Sequence, residues 1–125
     1  MKNRLAAFRG AICTENTAED ITKNVCLMCN ELFTRNNIDS KDIVSLQFSI
    51  TKDITVLNPA TALRRGKCEI DITQVPLFCC QEAEIEGGMK KVVRALLHAY
   101  VEEGSEYHNV YLNGAEKLRP DFSNK

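Results

Sequence analysis

Hydrophobic residues in the first third of the chain recur with the period of an α-helix. An apolar stripe with spacings of three and four residues comprises Ala18, Ile21, Val25, Met28 and Leu32. Thr17 precedes this stripe, where its hydroxyl can cap a helix, and two acidic residues follow it in the first turn. The pattern predicts an amphipathic helix that begins after Thr17 and ends near Asn36 and Asn37.

Other segments have the character of strands. Apolar and polar residues alternate over residues 44–50, which predicts a half-buried strand. The short apolar run of residues 5–8 predicts a first strand, and residues 75–80 predict a further one. Pro76 favours a sheet edge or a strand start for that segment, because proline donates no ladder hydrogen bond.

Proline and glycine residues mark two further helices. Pro59 suits a first helical turn and Gly66 suits a helix end, so residues 59–65 are predicted to form a short helix. After the break at Gly87 and Gly88, apolar residues recur at helical spacing and predict a second long helix over residues 89–100. Its predicted apolar face comprises Met89, Val92, Val93, Leu96, Leu97 and Tyr100.

The C-terminal segment predicts a hairpin. Residues 109–112 and 115–118 read as two short strands joined by Asn113 and Gly114, a pair typical of two-residue turns. The resulting order β-α-β-α-β-α-β-β is typical of an α+β or mixed α/β fold, in which helices pack on a mixed β-sheet. We expect residues 1–125 to form a single domain and residues 123–125 to be a disordered tail.

Composition narrows the class of protein. The 125 residues are 44% hydrophobic and 26% charged, which is the balance of a soluble domain with a core. The formal net charge of -1 gives no general attraction to nucleic acid or to an anionic membrane. No segment has the ~20 apolar residues of a membrane span, and residues 1–9 lack the apolar run of a signal peptide. We therefore expect a cytoplasmic protein with neither nucleic acid nor membrane as a partner.

The six cysteines suggest redox or metal chemistry only at first sight. Cys26 and Cys29 have CxxC spacing, but a zinc site usually needs a second such pair. A thioredoxin-like motif lies at a helix N-terminus, whereas this pair lies within the first predicted helix. Packing in the core is the favoured interpretation. Spacing gives no support to Cys79 as a nucleophile with His98 or His108 as its base.

Arg94 is placed unusually for an arginine. In residues 92–100 only Arg94 and His98 are polar, so the guanidinium is expected to be at least half buried. A buried guanidinium is unfavourable unless its donors are satisfied, and Glu82 at the end of the preceding strand is a candidate partner. The ordinary alternatives are an arginine whose stem covers apolar surface while its head reaches water, and a solvated loop acid.

Arg9, Arg64 and Arg119 also stand at the ends of predicted elements. A planar guanidinium can donate two parallel hydrogen bonds to a carboxylate, so these arginines together with Glu82 indicate a site for a small dianion that carries an uncharged polar group. The alternative is scattered surface charge. Phosphate-binding, dinucleotide-binding and serine-hydrolase motifs are absent from the sequence. The residues by themselves identify no reaction.

Five short segments carry a resemblance to a known family: residues 8–11 (FRGA), 75–82 (VPLFCCQE), 87–94 (GGMKKVVR), 108–112 (HNVYL) and 118–121 (LRPD). In order, spacing and total length, the chain resembles the monofunctional chorismate mutases that form a trimeric pseudo-α/β barrel, as distinct from the all-helical class. The resemblance implies an isomerase that converts chorismate to prephenate by a concerted Claisen-type rearrangement, in the biosynthesis of phenylalanine and tyrosine. It implies no metal and no cofactor, and a homotrimer with sites between subunits.

The resemblance also implies roles for individual residues. Arg94 donates to the ether oxygen of the breaking C–O bond, Glu82 accepts from the ring hydroxyl with help from Cys79, and Arg9 holds a substrate carboxylate. Tyr111 adds a phenolic hydrogen bond. The complete set of expected substrate-binding residues is Arg9, Asn58, Ala60, Thr61, Arg64, Phe78, Cys79, Glu82, Arg94, Tyr111, Leu118 and Arg119.

Within this set, the residues are expected to come from different parts of the assembly. Phe78 lies in the strand that lines the pocket, and Leu118 and Arg119 match a C-terminal segment that covers it. A neighbouring subunit's wall is expected from Asn58, Ala60, Thr61 and Arg64.

Two positions depart from the family pattern, since an aromatic residue is typical at Asn58 and a lysine at Thr61. Losing a cation near the substrate carboxylates is expected to raise KM. These departures leave open a non-catalytic module that binds a small carboxylate on the same trimeric scaffold. A cysteine-based redox or metal protein is the second alternative.

Overall fold

Strands and helices follow one another closely in the computed structural model, which describes residues 1–121. Two short 3-10 helices, Ser40–Asp42 and Ala115–Leu118, accompany the regular elements. The strands and α-helices are β1 (Lys2–Cys13), α1 (Ala18–Arg35), β2 (Ile43–Ile50), α2 (Pro59–Arg65), β3 (Leu77–Gln81), β4 (Val92–Glu102) and β5 (Val110–Leu112).

The strands form a five-stranded mixed sheet in the order β3-β2-β4-β1-β5. The central strand β4 runs antiparallel to both neighbours, β1 and β2. The outer strands β3 and β5 run parallel to β2 and β1, respectively. Because β2 lies between β3 and β4, the residues that follow β3 are brought close to the start of β4.

One face of the sheet is buried beneath the helices. Phe8, Phe48 and Leu97 project from this face and pack against α1. The predicted apolar stripe of α1 is buried from Ile21 to Leu32, whereas its first member, Ala18, is exposed. Gly10 lies in close contact with α1, because a Cβ there would stand 3.0 Å from Leu32 Cδ1 and 3.1 Å from Met28 Cγ. A larger residue at this position would require the Leu32 and Met28 side chains to shift.

Among residues 1–121, the second 3-10 helix covers one corner of the opposite face of the sheet. That corner is a small cluster in which Ala11, Val92, Tyr111 and Ala115 are buried. Away from it, apolar side chains lie open on this face. They include Leu5, Phe78, Leu96 and Tyr100, with 53%, 66%, 36% and 42% of their surface exposed. We call this surface the open face of the sheet.

Several sequence predictions are confirmed. The first helix begins after Thr17, whose side chain accepts a hydrogen bond from the Asp20 N–H at 3.1 Å. The short helix α2 spans the predicted residues and ends at Gly66. Strand β2 matches the alternating segment, and β3 lies at a sheet edge, as Pro76 indicated. The first strand is longer than predicted.

The predicted helix over residues 89–100 is wrong, because this segment contains the central strand β4. The apolar residues of this segment fit the repeat of a helix and that of a strand equally well. The strand repeat is the one that is buried, at Val93, Ala95, Leu97, Ala99 and Val101. Pairing with β1 and β2 on both sides decides in favour of the strand.

The predicted C-terminal hairpin is also wrong. Strand β5 pairs in parallel with β1, and residues 115–118 form a 3-10 helix instead of a returning strand. Asn113 and Gly114 do adopt positive φ angles of 54° and 100°, as the turn prediction requires, but they lead the chain into that helix. The prediction for residues 123–125 lies outside the described residues. No helix within residues 1–121 has the length and apolar character to cross a membrane.

Candidate active site

Arg94 and Glu82 form an ion pair at one end of the sheet. Arg94 Nε donates to Glu82 Oε2 at 2.9 Å and lies 3.4 Å from Oε1. The Arg94 side chain is 40% exposed and that of Glu82 is 22% exposed, so the carboxylate is mostly buried while the guanidinium keeps access to a ligand. The partner that the sequence suggested for Arg94 is therefore confirmed.

Strand β2 holds the two partners together. Ser49 lies opposite Arg94 in the antiparallel ladder, and Ile50 lies opposite Gln81 in the parallel ladder. The Glu82 N–H then donates to the Ile50 carbonyl at 2.9 Å, which extends the pairing by one residue beyond β3. The end of β2 thus fixes the backbone of both residues, on either side of it.

Arg94 borders a cavity of about 620 Å³ that we call the loop cavity. The segment between β3 and β4 forms most of its wall, and residues 51–53 after β2 and Arg94 of β4 form the rest. An ion pair between Lys52 Nζ and Glu84 Oε2 at 2.5 Å ties this segment to the residues after β2. The lining residues are Thr51, Lys52, Asp53, residues 82–90 and Arg94.

Arg94 also borders a second cavity, of about 410 Å³, on the open face of the sheet. We call it the arginine cavity, because Arg9, Arg94 and Arg119 all line it. Three arginines around one concave surface suit a ligand with more than one carboxylate. The other lining residues are Gly10, Ala11, Gln47, Phe48, Ser49, Cys80, Ala95, Leu96, Tyr111 and Leu118.

Local hydrogen bonds fix the chain around the arginine cavity. The Arg9 N–H donates to Asn109 Oδ1 at 2.8 Å, which ties β1 to the residue before β5. Arg119 Nη2 and Nε donate to the two carboxylate oxygens of Asp121 at 2.7 and 3.1 Å. This hydrogen bonding raises the pKa of Arg119 above its ordinary value. The backbone of Arg9 is therefore held beside β5, and the Arg119 guanidinium is held by Asp121.

Five of the residues expected at the site meet in the arginine cavity: Arg9, Arg94, Tyr111, Leu118 and Arg119. Glu82 joins them through its ion pair with Arg94. The residues of α2 do not join this group, since Asn58, Ala60, Thr61 and Arg64 are absent from the lining of both cavities. Asn58 caps α2 instead, because its Oδ1 accepts from the Ala60 N–H at 2.8 Å.

Phe78 and Cys79 also lie outside the lining of both cavities. Phe78 projects from the open face, whereas Cys79 packs against the core beneath the helices. Burial raises the pKa of the Cys79 thiol, which favours the neutral form over a nucleophilic thiolate. Its neighbour Cys80 lines the arginine cavity.

The pair Cys26 and Cys29 is packed in the core, as predicted. Both side chains are buried on α1, and burial raises the pKa of each thiol. Cys26 Sγ lies against the end of α2, 3.9 Å from the Ala62 carbonyl oxygen. The CxxC spacing here reflects one buried face of a helix.

Sequence reasoning missed several residues that line the arginine cavity, among them Gln47, Ser49, Cys80 and Leu96. A signal for two of them is present in the alternation of β2, where Gln47 and Ser49 face away from the buried Leu46 and Phe48. Nothing in the local pattern indicates that this face would be concave.

The arrangement leaves hydrogen-bond donors for a ligand. Within residues 1–121, Glu82 is the hydrogen-bond partner of the Arg94 guanidinium and uses its Nε, so the terminal amino groups of Arg94 have capacity for an oxygen acceptor. A partly dry pocket strengthens such an interaction. The site can therefore bind an anionic ligand and stabilise negative charge on an oxygen atom.

Residues 5–122 match the family described as chorismate mutase type I. Chorismate mutase AroH of Bacillus subtilis is 30% identical over 122 residues, which cover 95% of this chain and 93% of that protein. Its counterpart in Thermus thermophilus is 30% identical over 118 residues, 92% of this chain and 93% of that protein. A solved chorismate mutase from Clostridium thermocellum superposes with a TM-score of 0.79 at 32% identity, covering 90% of this chain and 99% of that one.

Proposed function

The chain belongs to the chorismate mutase type I family, and from this premise we propose that Arg94 and Glu82 form its catalytic centre. The reaction is the isomerisation of chorismate to prephenate, a step of aromatic amino-acid biosynthesis. A non-catalytic binding module, one alternative left open by the sequence, is therefore not retained. The observation that carries the proposal is the Arg94–Glu82 ion pair where the two cavities meet.

The rearrangement is concerted, so the protein needs to fix one conformer of a flexible ether and to favour the transition state. Negative charge grows on the ether oxygen as the C–O bond breaks. We assign the terminal amino groups of Arg94 to that oxygen, because a donor placed beforehand stabilises the charge most when the charge is largest. Glu82 keeps the guanidinium oriented through Nε and accepts from the ring hydroxyl.

The remaining residues of the arginine cavity suit the two carboxylates of chorismate. Arg9 is assigned to one of them, and Arg119 with Leu118 closes the same cavity from the C-terminal side. Tyr111 is buried beside them and is assigned a phenolic hydrogen bond. Cys79 is the weakest assignment in the set, since its side chain packs towards the core of this chain.

We further propose that the protein is a homotrimer with its sites between subunits. The support is the open face of the sheet, where Leu5, Phe78, Leu96 and Tyr100 expose apolar surface around the arginine cavity. A neighbouring copy would cover this surface and bring a wall made of Asn58, Ala60, Thr61 and Arg64. This explains why these residues lie apart from the cavities of a single chain. The cytoplasmic location stays a prediction of the sequence.

Asn58 and Thr61 are expected to affect substrate binding more than the rate at which bound chorismate is converted. The Asn58 side chain caps α2, so it is not available to cover the substrate as an aromatic ring would. Thr61 offers a hydroxyl in place of a cation. Both changes belong to the wall and leave the Arg94–Glu82 pair intact, so we expect a raised KM with kcat retained.

The test is an assay of chorismate loss and prephenate formation by the purified protein in metal-free buffer, with Arg94→Ala as the comparison. Prephenate formation by the wild type and its loss in Arg94→Ala would support the proposed centre. Turnover that survives in Arg94→Ala would refute it. Sedimentation of the wild type as a monomer under assay conditions would refute the shared site.

A further inference from the structure

Thr51 and Asp53, which follow the end of β2, form hydrogen bonds with the residues at the start of β4. The Thr51 hydroxyl accepts from the Val92 N–H at 3.0 Å and donates to Asp53 Oδ1 at 2.6 Å. The backbone N–H of Thr51 donates to the Val92 carbonyl at 3.2 Å. Thr51 and Asp53 are both only partly exposed. Thr51 therefore forms hydrogen bonds with both the N–H and the C=O of Val92, the first residue of β4.

Asp53 forms hydrogen bonds with Lys91, the residue before Val92. Both carboxylate oxygens of Asp53 accept the Lys91 N–H, at 3.0 and 3.1 Å. Lys91 has a φ of 54°, a left-handed conformation that is unfavourable for a residue with a side chain. Such a conformation persists only where the surroundings impose it. Here Asp53 holds the Lys91 N–H, and the Thr14 N–H holds the Lys91 carbonyl at 3.0 Å.

This contact lies immediately upstream of the proposed catalytic arginine. Arg94 follows Lys91 by three residues and Val92 by two, and β4 continues without interruption. The same end of β2 also holds Glu82, whose N–H bonds the Ile50 carbonyl. Residues 50–53 thus set the backbone of both members of the ion pair, and an error in their placement would move Arg94 relative to Glu82.

We propose that Asp53 and Thr51 are positioning residues for the rearrangement: they lock the turn at Lys91 and Val92 and so place the Arg94 guanidinium for the transition state. The inference rests on the proposed role of Arg94. Neither residue needs to touch the substrate. Because Arg94 acts on charge that develops in the transition state, misplacing it lowers kcat more than it raises KM.

The test compares Asp53→Asn, Thr51→Val and Thr51→Ser by steady-state kinetics. We expect kcat to fall about tenfold or more in Asp53→Asn and Thr51→Val, with KM within about threefold of the wild type. Thr51→Ser keeps the hydroxyl and should recover most of the loss. Asp71→Asn is the matched control, since Asp71 accepts from the Thr73 N–H and hydroxyl on an exposed loop outside both cavities.

A double-mutant cycle separates positioning from general stability. If Asp53 acts through Arg94, then Asp53→Asn will lower kcat much less in an Arg94→Lys background than in the wild type. Equal losses in both backgrounds would overturn the proposal, as would a kcat for Asp53→Asn equal to that of Asp71→Asn. Should Asp53→Asn not fold, equal losses in Thr51→Ser and Thr51→Val would overturn it. Wild-type activity in Arg94→Lys alone would instead refute the proposed role of Arg94.

Discussion

Arg94 Nε lies 2.9 Å from Glu82 Oε2, although the two residues belong to segments separated in the sheet by strand β2. The contact uses Nε of the guanidinium, and Arg94 lines both cavities. Orientation of one functional group by another is how a site is organised before the substrate arrives. It also makes the shape of the guanidinium, and not just its charge, essential to the arrangement.

Arg94→Lys is therefore expected to lose most of kcat, by about 100-fold or more. An ammonium retains the charge but cannot bond Glu82 and an ether oxygen through separate edges of a planar group. Initial rates of prephenate formation at saturating chorismate give the comparison. Activity near that of the wild type would exclude the proposed role.

The matched control for this substitution is Arg35→Lys. Arg35 also pairs with a glutamate, Glu31, at 2.6 Å, but on the surface of α1 and outside both cavities. Its replacement should leave kcat within about twofold of the wild type, because an exposed helical ion pair contributes little even to stability. A comparable loss in both variants would point to a nonspecific effect of the substitution.

Cys79→Ser is expected to retain substantial activity, within about tenfold of the wild type. The rearrangement needs no covalent step, and partial burial raises the pKa of the Cys79 thiol, which disfavours the thiolate. Kinetics and intact-protein mass spectrometry during turnover are the measurements. A covalent adduct on Cys79 would contradict the expectation. Cys80→Ser serves as the comparison, because this neighbouring thiol lines the arginine cavity.

The elements that sequence reasoning predicted correctly are those whose signals are local. Thr17 caps α1, Pro59 and Gly66 bound α2, and the alternation of β2 follows from one buried face. Strand β4 was not predictable in this way, since its apolar residues satisfy helical and strand periods together. Its state is decided by pairing with β1 and β2, which are distant in the sequence.

The candidate site shows the same division. The isolation of Arg94 among apolar residues predicted a partner, and Glu82 is that partner. The face on which Arg94 and His98 lie is the same for a helix or a strand, since residues four apart share a side in both. Cys79 was expected to face the site, but Cys80 lines the arginine cavity and Cys79 packs against the core. Which of the two faces the cavity depends on the register of β3 against β2, and no local pattern specifies that register.

Asp20 should make the stability of the fold depend on pH. Its pKa is lowered chiefly by the Glu15 N–H, which donates to Asp20 Oδ2 at 2.7 Å, with help from Asn24 Nδ2 at 3.0 Å. A lowered pKa stabilises the folded state above the ordinary value of 3.8, and this stabilisation is lost as the pH falls through the folded-state pKa.

We expect Asp20→Asn to lower the free energy of unfolding by about 1 kcal/mol at neutral pH, because it removes a charged acceptor near solvent. The difference from the wild type should shrink as the pH falls below 3.8. Urea titrations at several pH values measure it. Glu19→Gln controls for the loss of one negative charge in the same helical turn. A difference that stays constant down to pH values well below 3.8 would contradict the assignment.

Mixed trimers test whether Arg64 reaches the site of a neighbouring subunit. In a cyclic trimer that mixes Arg64→Ala and Arg94→Ala chains, one of the interfaces combines an intact Arg94 with an intact Arg64 from the next subunit. Random mixing in equal amounts makes about three-quarters of the trimers mixed, so activity should recover to about one quarter of the wild-type value.

The control mixture combines Arg9→Ala with Arg94→Ala. Arg9 and Arg94 line one cavity of a single chain, so no interface of a mixed trimer regains both. We expect no recovery in that mixture. Recovery in both mixtures would contradict a site that takes Arg9 and Arg94 from the same chain. Absence of recovery in the Arg64 mixture would place Arg64 outside the shared site. Recovery confined to the Arg64 mixture is the result that a site built from two subunits requires.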